Sequence, residues 1–166
     1  QNIRPWNYIN WNNANKNAES MYNTDKMKSN LLTTTQAKIV DYWLEKAGFN
    51  VASDSSTWGN YSNVDKEING LASSDFGKNY KETSGKFGGN IINATGTIEK
   101  NKSNNIYDWA GNLWEYTDTP YEQTEYYISH GGYYGTSGNI SPASFTNSFT
   151  GEASSKVGFR ICLNML

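Results

Sequence analysis

The chain has 166 residues and a formal net charge of −2, and charged residues make up only 18% of it. Its polarity comes instead from uncharged side chains, with 23 Asn, 17 Ser and 14 Thr, while aromatic residues reach 14%. These values argue against a nucleic-acid-binding surface and against disorder, and no apolar run is long enough to span a membrane.

Two amphipathic helices are expected near the N-terminus. In the first, apolar residues recur near helical spacing between Ile9 and Tyr22, with Asn10 or Asn12 as the N-cap. The second follows a cap within residues 33–35, and Gly48 stands where the residue after a helix is often glycine.

Residues 50–105 lack sustained periodicity and are rich in Gly, Ser, Asn and Asp, so we expect a long irregular region with a short strand near 89–92. Aromatic side chains are expected to pin this region to the core, namely Trp58, Tyr61, Phe76, Tyr80 and Phe87. Strand patterns return at 113–117, 125–129 and 157–163. This order predicts one α+β domain over residues 1–166.

The Cys and His counts limit the available chemistry. A single Cys forms neither an internal disulfide nor a Cys-based zinc site, and His130 alone cannot form a multi-histidine metal site. Cys162 lies in the terminal apolar run, which predicts a small buried hydrophobic residue.

The most distinctive segment is residues 105–117, Asn-Ile-Tyr-Asp-Trp-Ala-Gly-Asn-Leu-Trp-Glu-Tyr-Thr. It resembles the signature of the formylglycine-generating-enzyme type of C-type-lectin-like domain. His130-Gly131-Gly132-Tyr133 and Val157-Gly158-Phe159-Arg160 are similar to later marks of that family, and residues 9–14 and 31–37 match more loosely. The resemblance implies a C-type-lectin-like α+β fold, with two helices packed on small antiparallel sheets and long irregular loops.

The resemblance also bears on metals. Family members often hold Ca²⁺ at this motif through Asn and Glu oxygens, so Asn112 and Glu115 are candidate calcium ligands, with Asp108 nearby. The alternative is that these groups bond to the backbone and tie the loop to the sheet. No cofactor is otherwise expected.

The catalytic branch of the family binds copper through a pair of cysteines, and a related iron-dependent branch uses several histidines. This chain has one residue of each type, which predicts a non-catalytic domain. An oxidoreductase of the formylglycine-generating type with exchanged chemistry remains the alternative.

Residues 130–150 are rich in Tyr, Ser, Gly, Asn and Phe, as antibody binding loops are, although an ordinary Gly/Ser-rich loop has a similar composition. The segment resembles the variable region of diversity-generating-retroelement target proteins, in which adenine-directed mutagenesis acts on Asn codons. Such codons never become Met, Trp, Lys, Glu or Gln, and none of these five residues occurs between 133 and 150.

The resemblance and the composition together predict a set of ligand-binding side chains: Tyr133, Tyr134, Thr136, Ile140, Ser141, Phe145, Thr146, Asn147 and Phe149. Ile140, Phe145 and Phe149 have a competing role in the core. The predicted function is ligand or receptor binding at a bacterial surface or on a phage virion. The expected partner is a protein or glycan on another cell or host, and a purely structural pilus or tail tip is a further alternative.

Overall fold

The computed structural model describes residues 2–122, 125–139, 141, 145–149 and 151–166. Within these ranges it contains two α-helices, α1 (Trp11–Met21) and α2 (Thr34–Lys46), and a 3₁₀ helix at Glu99–Asn101. The strands are β1 (Asn23–Thr24), β2 (Met27–Leu31), β3 (Lys66–Ser73), β4 (Lys81–Phe87), β5 (Ile92–Asn93), β6 (Lys102–Ser103), β7 (Ile106–Tyr107), β8 (Trp114–Pro120), β9 (Tyr126–His130), β10 (Phe145–Phe149), β11 (Val157–Phe159) and β12 (Ile161–Met165).

Both predicted helices are confirmed, and local side chains explain where they begin. The Asn10 side chain accepts a hydrogen bond from the Asn13 N–H at 2.9 Å, so Asn10 is the N-cap of α1. At α2, the Thr33 Oγ1 accepts from the Gln36 N–H while the Gln36 side chain accepts from the Thr33 N–H, which forms a capping box. Gly48, with φ +91°, follows the end of α2.

The described strands form small sheets, as the α+β fold class predicts. The largest has the order β10-β9-β8-β11, with β10, β9 and β8 antiparallel and β11 parallel to β8. The other sheets have the orders β1-β2-β12, β4-β3-β5 and β6-β7. The expected strand at 157–163 is in fact two strands in different sheets, β11 beside β8 and β12 beside β2. The chain passes from one sheet to the other at Arg160, whose side chain bonds to Glu115.

The expectation that 50–105 is irregular was wrong for the β3–β4 hairpin, in which seven residue pairs face each other. The sequence of β4, Lys-Glu-Thr-Ser-Gly-Lys-Phe, has no alternating apolar pattern. The strand is held by backbone pairing with β3 and buries little of its side chains, so it needs no such pattern. Among the aromatic residues expected to pin the region, Trp58 and Tyr61 are buried, whereas Phe76 is 54% exposed.

Two apolar clusters anchor the fold. One joins α2 to the loop that follows it and to the signature motif, through Leu44, Trp58, Tyr61 and Trp109. The other packs α1 against β2, β8 and β11. Of the residues that the structure describes, none lies in a helix long and apolar enough to cross a membrane.

The prediction that Cys162 is buried was wrong. Its side chain is only half-buried, because β12 is an edge strand of its sheet. The Gln36 Nε2 donates to the Cys162 Sγ at 3.3 Å, so the thiol contacts the first turn of α2 and not an apolar core.

Candidate functional site

The signature motif is held by a buried network of asparagine amides. The Asn112 Oδ1 accepts hydrogen bonds from the Asn60 side chain at 2.9 Å and from the Asn93 N–H at 3.1 Å, and the Asn112 Nδ2 donates to the Asn93 carbonyl. All three residues are buried. A buried polar group is costly unless it is paired, so this network ties the motif to β5 and to the loop at Asn60.

Glu115 and Arg160 link the signature motif to the C-terminal strands. The Arg160 Nε donates to the Glu115 Oε2 at 2.9 Å, and its Nη2 donates to the Oε1 at 2.7 Å and to the Tyr107 carbonyl at 3.0 Å. The guanidinium also lies over the Trp109 ring, 5.4 Å from its centroid. Bidentate pairing of this kind fixes orientation as well as charge, so Arg160 holds both ends of the motif.

The two candidate calcium ligands do not fit a calcium ion as they are placed. The side-chain oxygen of Asn112 already accepts two N–H groups, and both oxygens of Glu115 accept from Arg160. Calcium needs six to eight oxygen ligands, and a guanidinium cation in contact with one of them opposes its binding. The arrangement instead matches the alternative in which these groups tie the loop to the sheet.

Asp108 is the buried carboxyl group of the motif. Its Oδ1 accepts hydrogen bonds from the side chains of Asn93 at 3.2 Å and Asn101 at 3.4 Å. Its Oδ2 is buried without a hydrogen-bond partner among the described residues. Burial raises the pKa of Asp108 to about 6, because the charged form is disfavoured away from water.

His130 begins the predicted binding segment and is buried at the end of β9. Its Nε2 lies 3.2 Å from the Asp41 Oδ2, and the Asp41 Oδ1 accepts the indole N–H of Trp109 at 2.8 Å. These contacts fasten β9 to α2. Because His130 pairs in register with Phe145, they also set the position where β10 begins.

The predicted ligand-binding residues fall into separate places. Tyr134 is only 2% exposed and packs with Ile92 and Leu113, and the half-buried Tyr133 packs against the same cluster. The Tyr134 side chain is therefore part of the core, and the Tyr133 ring contacts it in a T-shaped arrangement at a centroid distance of 5.2 Å.

Two of the predicted polar residues contact the chain's own backbone. The Thr136 Oγ1 donates to the Tyr133 carbonyl at 2.7 Å, which closes a turn, and the Ser141 Oγ donates to the Val51 carbonyl at 2.6 Å. Both side chains are half-buried. Ile140 lies outside the described residues. Asn147 and Phe149 are described through their backbones, which pair with Ile128 and Tyr126.

Phe145 and Thr146 are half-buried, and Phe145 also packs against the apolar cluster that contains Trp109, as its competing core role predicts. With Tyr121 and Ile128 they line an open cavity of about 290 Å³, which we call the strand depression. The Phe145 ring packs against His130 on one side and lies 5.6 Å from the Lys38 Nζ on another. Tyr121, which is 40% exposed, and Ile128 were missed from the sequence because they precede the Gly-rich segment.

The described residues contain no group of three or more His, Cys, Asp or Glu side chains close enough together to hold a metal ion. The single His and the single Cys lie on different sheets, on β9 and on β12. The side chains that line the strand depression are aromatic, aliphatic and hydroxyl groups.

Residues 2–165 match the family model of the sulfatase-modifying factor enzyme 1-like domain. No curated protein matches the chain. Similar solved structures include PvdO from Pseudomonas aeruginosa, at TM-score 0.64 and 15% identity over 98% of this chain and 62% of that one.

Two further structures are similar. CarF has TM-score 0.56 and 17% identity, over 84% of this chain and 48% of that one. Treponema denticola variable protein 1 has TM-score 0.51 and 16% identity, over 84% of this chain and 49% of that one. This chain therefore spans about half to three-fifths of the length of these proteins, and at such identities the likeness concerns the fold.

Proposed function

Because the chain belongs to the family of sulfatase-modifying factor enzyme 1-like domains, we propose that it uses the family fold as a scaffold for binding a ligand and performs no chemistry. The ligand contacts the strand depression and the adjoining part of the segment at 130–150. In this proposal the partner is a protein or glycan on another cell or host, and the domain is displayed on a bacterial surface or a phage virion.

The observation that carries the proposal is the position of Phe145 and Thr146. Both belong to the segment whose composition resembles a variable binding loop, and both line the strand depression. They lie on β10, which is the edge strand of its sheet in the described part of the chain. An edge strand also offers unpaired backbone groups to a partner, so side chains and backbone are both available for contact.

The remaining contacts of this segment support a rigid scaffold behind the depression. His130 is held by Asp41, the Ser141 hydroxyl bonds to Val51, and Gly138 passes so close to Ser56 that a Cβ there would lie 2.6 Å from the Ser56 Cβ. Side chains that face solvent on such a scaffold can change without changing the fold, which suits a binding surface.

The residue inventory supports binding over the oxidoreductase alternative. A copper site of this kind needs two cysteines and an iron site needs several histidines, whereas this chain has one Cys and one His. His130 is buried beside Asp41, and Cys162 contacts Gln36 on another sheet. Stoichiometric copper or iron binding accompanied by turnover would overturn the proposal.

The proposal is tested with protein and glycan arrays probed with the wild-type chain and a Thr146→Lys variant. The added charge and length fill the strand depression, so we expect the affinity for the array hits to fall by about tenfold or more. The matched control is Tyr22→Ser, which removes a 48% exposed aromatic residue next to α1 and leaves the depression intact.

Thermal melting of all three proteins accompanies the binding measurement. We expect the melting temperatures to agree within a few degrees, because both substitutions are at the surface. Array hits that bind Thr146→Lys as tightly as the wild type would contradict the proposed face. A wild-type chain without array hits would favour the structural tip alternative.

A further inference from the structure

A second cavity lies between the N-terminal segment and the β3–β4 hairpin, and shares no lining residue with the strand depression. It is a surface groove of about 690 Å³, which is within the usual range for small-molecule sites. Its apolar lining comes from Ala72, Phe87 and Ile91, and the turn that joins the two strands forms its rim.

The charge of the groove is opposite to that of the whole chain. Three cationic side chains line it, Arg4, Lys78 and Lys81, against the single acidic residue Asp75, although the chain carries a net charge of −2. Among the described residues these three cations have no carboxylate within ion-pair distance. Cations without partners in a concave site attract an anion more strongly than they would on an open surface.

Asp75 forms no ion pair with the three cations of the groove, because its carboxylate oxygens accept hydrogen bonds within the turn. They accept hydrogen bonds from the Ser73 hydroxyl, from the Asn79 N–H at 2.9 Å and from the Asn79 side chain. The bond from Ser73 and those from Asn79 lower the pKa of Asp75 to about 2. Asp75 therefore shapes the turn that presents Lys78.

Tyr80 forms an aromatic wall of the groove. Its ring lies 5.5 Å from the Arg4 guanidinium carbon, a cation–π contact that orients Arg4 along the groove. Its hydroxyl is buried without a hydrogen-bond partner in the described part of the chain, and burial raises its pKa, so the group remains a donor. The Tyr80 side chain also packs against the buried cluster of Ile92, Leu113 and Tyr134, so Tyr80 offers its ring, and not its buried hydroxyl, to a ligand in the groove.

From this combination we propose that the groove binds an anionic sugar. The acidic group of the ligand pairs with Lys78, Lys81 and Arg4, and one face of its ring packs on Tyr80 and Phe87. The hydroxyl groups of Ser74 and Thr83 are suited to the sugar hydroxyls. The acidic group is a carboxylate or a phosphate, since both accept hydrogen bonds from Lys and Arg.

Calorimetric titration of the whole chain tests this proposal with three probes: glucuronate, glucose 6-phosphate and glucose. We expect at least one charged sugar to bind with a Kd in roughly the millimolar range and to lose affinity in high salt, while glucose does not bind. The tighter of the two charged sugars identifies the acidic group. Binding of glucose as tight as that of the charged sugars, or no binding of either, would overturn the proposal.

The matched variants are Lys78→Gln with Lys81→Gln, and Lys86→Gln as the control. Lys86 is exposed on the same strand as Lys81 but does not line the groove. We expect the double variant to weaken binding about fivefold or more and Lys86→Gln to change it less than about twofold. Equal weakening per removed charge in the two proteins would show that the charged sugar is attracted by net charge alone, against the proposal.

Thr146→Lys separates this site from the proposed ligand face. Thr146 does not line the groove, so this variant is expected to bind the charged sugar as the wild type does. Loss of array ligands with retained sugar binding in Thr146→Lys, together with the opposite result in the double variant of Lys78 and Lys81, would report on each site by itself. Sugar binding abolished by Thr146→Lys would contradict a separate groove.

Discussion

Within the signature motif, the hydrogen-bond partners of single residues determine what each side chain does. Asn112 and Glu115 were candidate metal ligands in sequence, and their chemistry suits that role. Their partners could not be anticipated, because Asn60, Asn93 and Arg160 approach them from distant parts of the chain. The buried Asp108 differs from both, since one of its oxygens has no hydrogen-bond partner among the described residues.

Asp108→Asn tests the consequence of that burial. The pKa of Asp108 rises from 3.8 to about 6 on folding. The folded chain therefore keeps a proton that the unfolded chain releases between these values, and stability falls as the pH rises through this window. We expect the free energy of unfolding of the wild type to fall by about 2 kcal/mol through this group between pH 4.5 and pH 7, and the Asn variant to show none of this fall.

Urea unfolding at pH 4.5 and pH 7 measures this difference. The control is Asp25→Asn, which changes an exposed residue in the turn between β1 and β2. If Asp108→Asn and the wild type show the same dependence of unfolding free energy on pH, the carboxyl is not protonated in the folded state and the argument fails.

At the scale of elements, local signals located the helices well and the strands less well. The Asn10 cap and the Thr33–Gln36 capping box are contained within four residues each, so the sequence is enough to place them. The β3–β4 hairpin was missed because its pairing depends on backbone hydrogen bonds that leave little apolar pattern in β4. The division of 157–163 into two strands depends on two different partner strands.

The turn of the signature motif leaves no room for a side chain at Gly111. Gly111 has φ +73°, and a Cβ there would lie 2.2 Å from the Asn60 carbonyl oxygen. We expect Gly111→Ala to lower the free energy of unfolding by about 3 kcal/mol or more, since it combines a strained φ with a clash against backbone.

The control for this prediction is Gly48→Ala, because Gly48 also has a positive φ, of +91°, but has nothing within 4 Å of the Cβ position. Gly48→Ala therefore measures the effect of the positive φ without a clash, and we expect it to lower the free energy of unfolding by about 1 kcal/mol. Urea denaturation compares the two variants. Equal decreases in the free energy of unfolding would mean that the loop at Asn60 moves away from the added Cβ, contrary to the hydrogen-bonded network of Asn60, Asn93 and Asn112.

At the scale of the whole molecule, the fold separates deeply buried residues of one segment from half-buried residues that line a surface depression. Tyr134 and His130 are buried, whereas Phe145 and Thr146 line an open depression. Substitution at exposed positions costs little stability, and substitution at core positions costs much. A rigid scaffold of this kind is what the proposed binding surface requires.

Diversification predicts a specific arrangement in the genome. We expect a reverse transcriptase gene beside this one, with a template repeat nearly identical to the codons for residues 130–150 and different from them only at adenines. Sequencing the locus checks this. A locus without the template would leave the strand depression as a fixed binding surface, and would contradict the resemblance to retroelement targets.

The sequence by itself determined the family motif, the two helices with their caps and the low number of Cys and His residues. Each of these depends only on neighbouring residues or on residue counts. Tertiary structure alone decided how deeply each described side chain of 130–150 is buried. Tyr134 looks equivalent to Phe145 and Thr146 in sequence, yet it is buried beside Ile92 and Leu113, whereas they are half-buried. Burial depends on residues far away in the chain, and no local pattern encodes them.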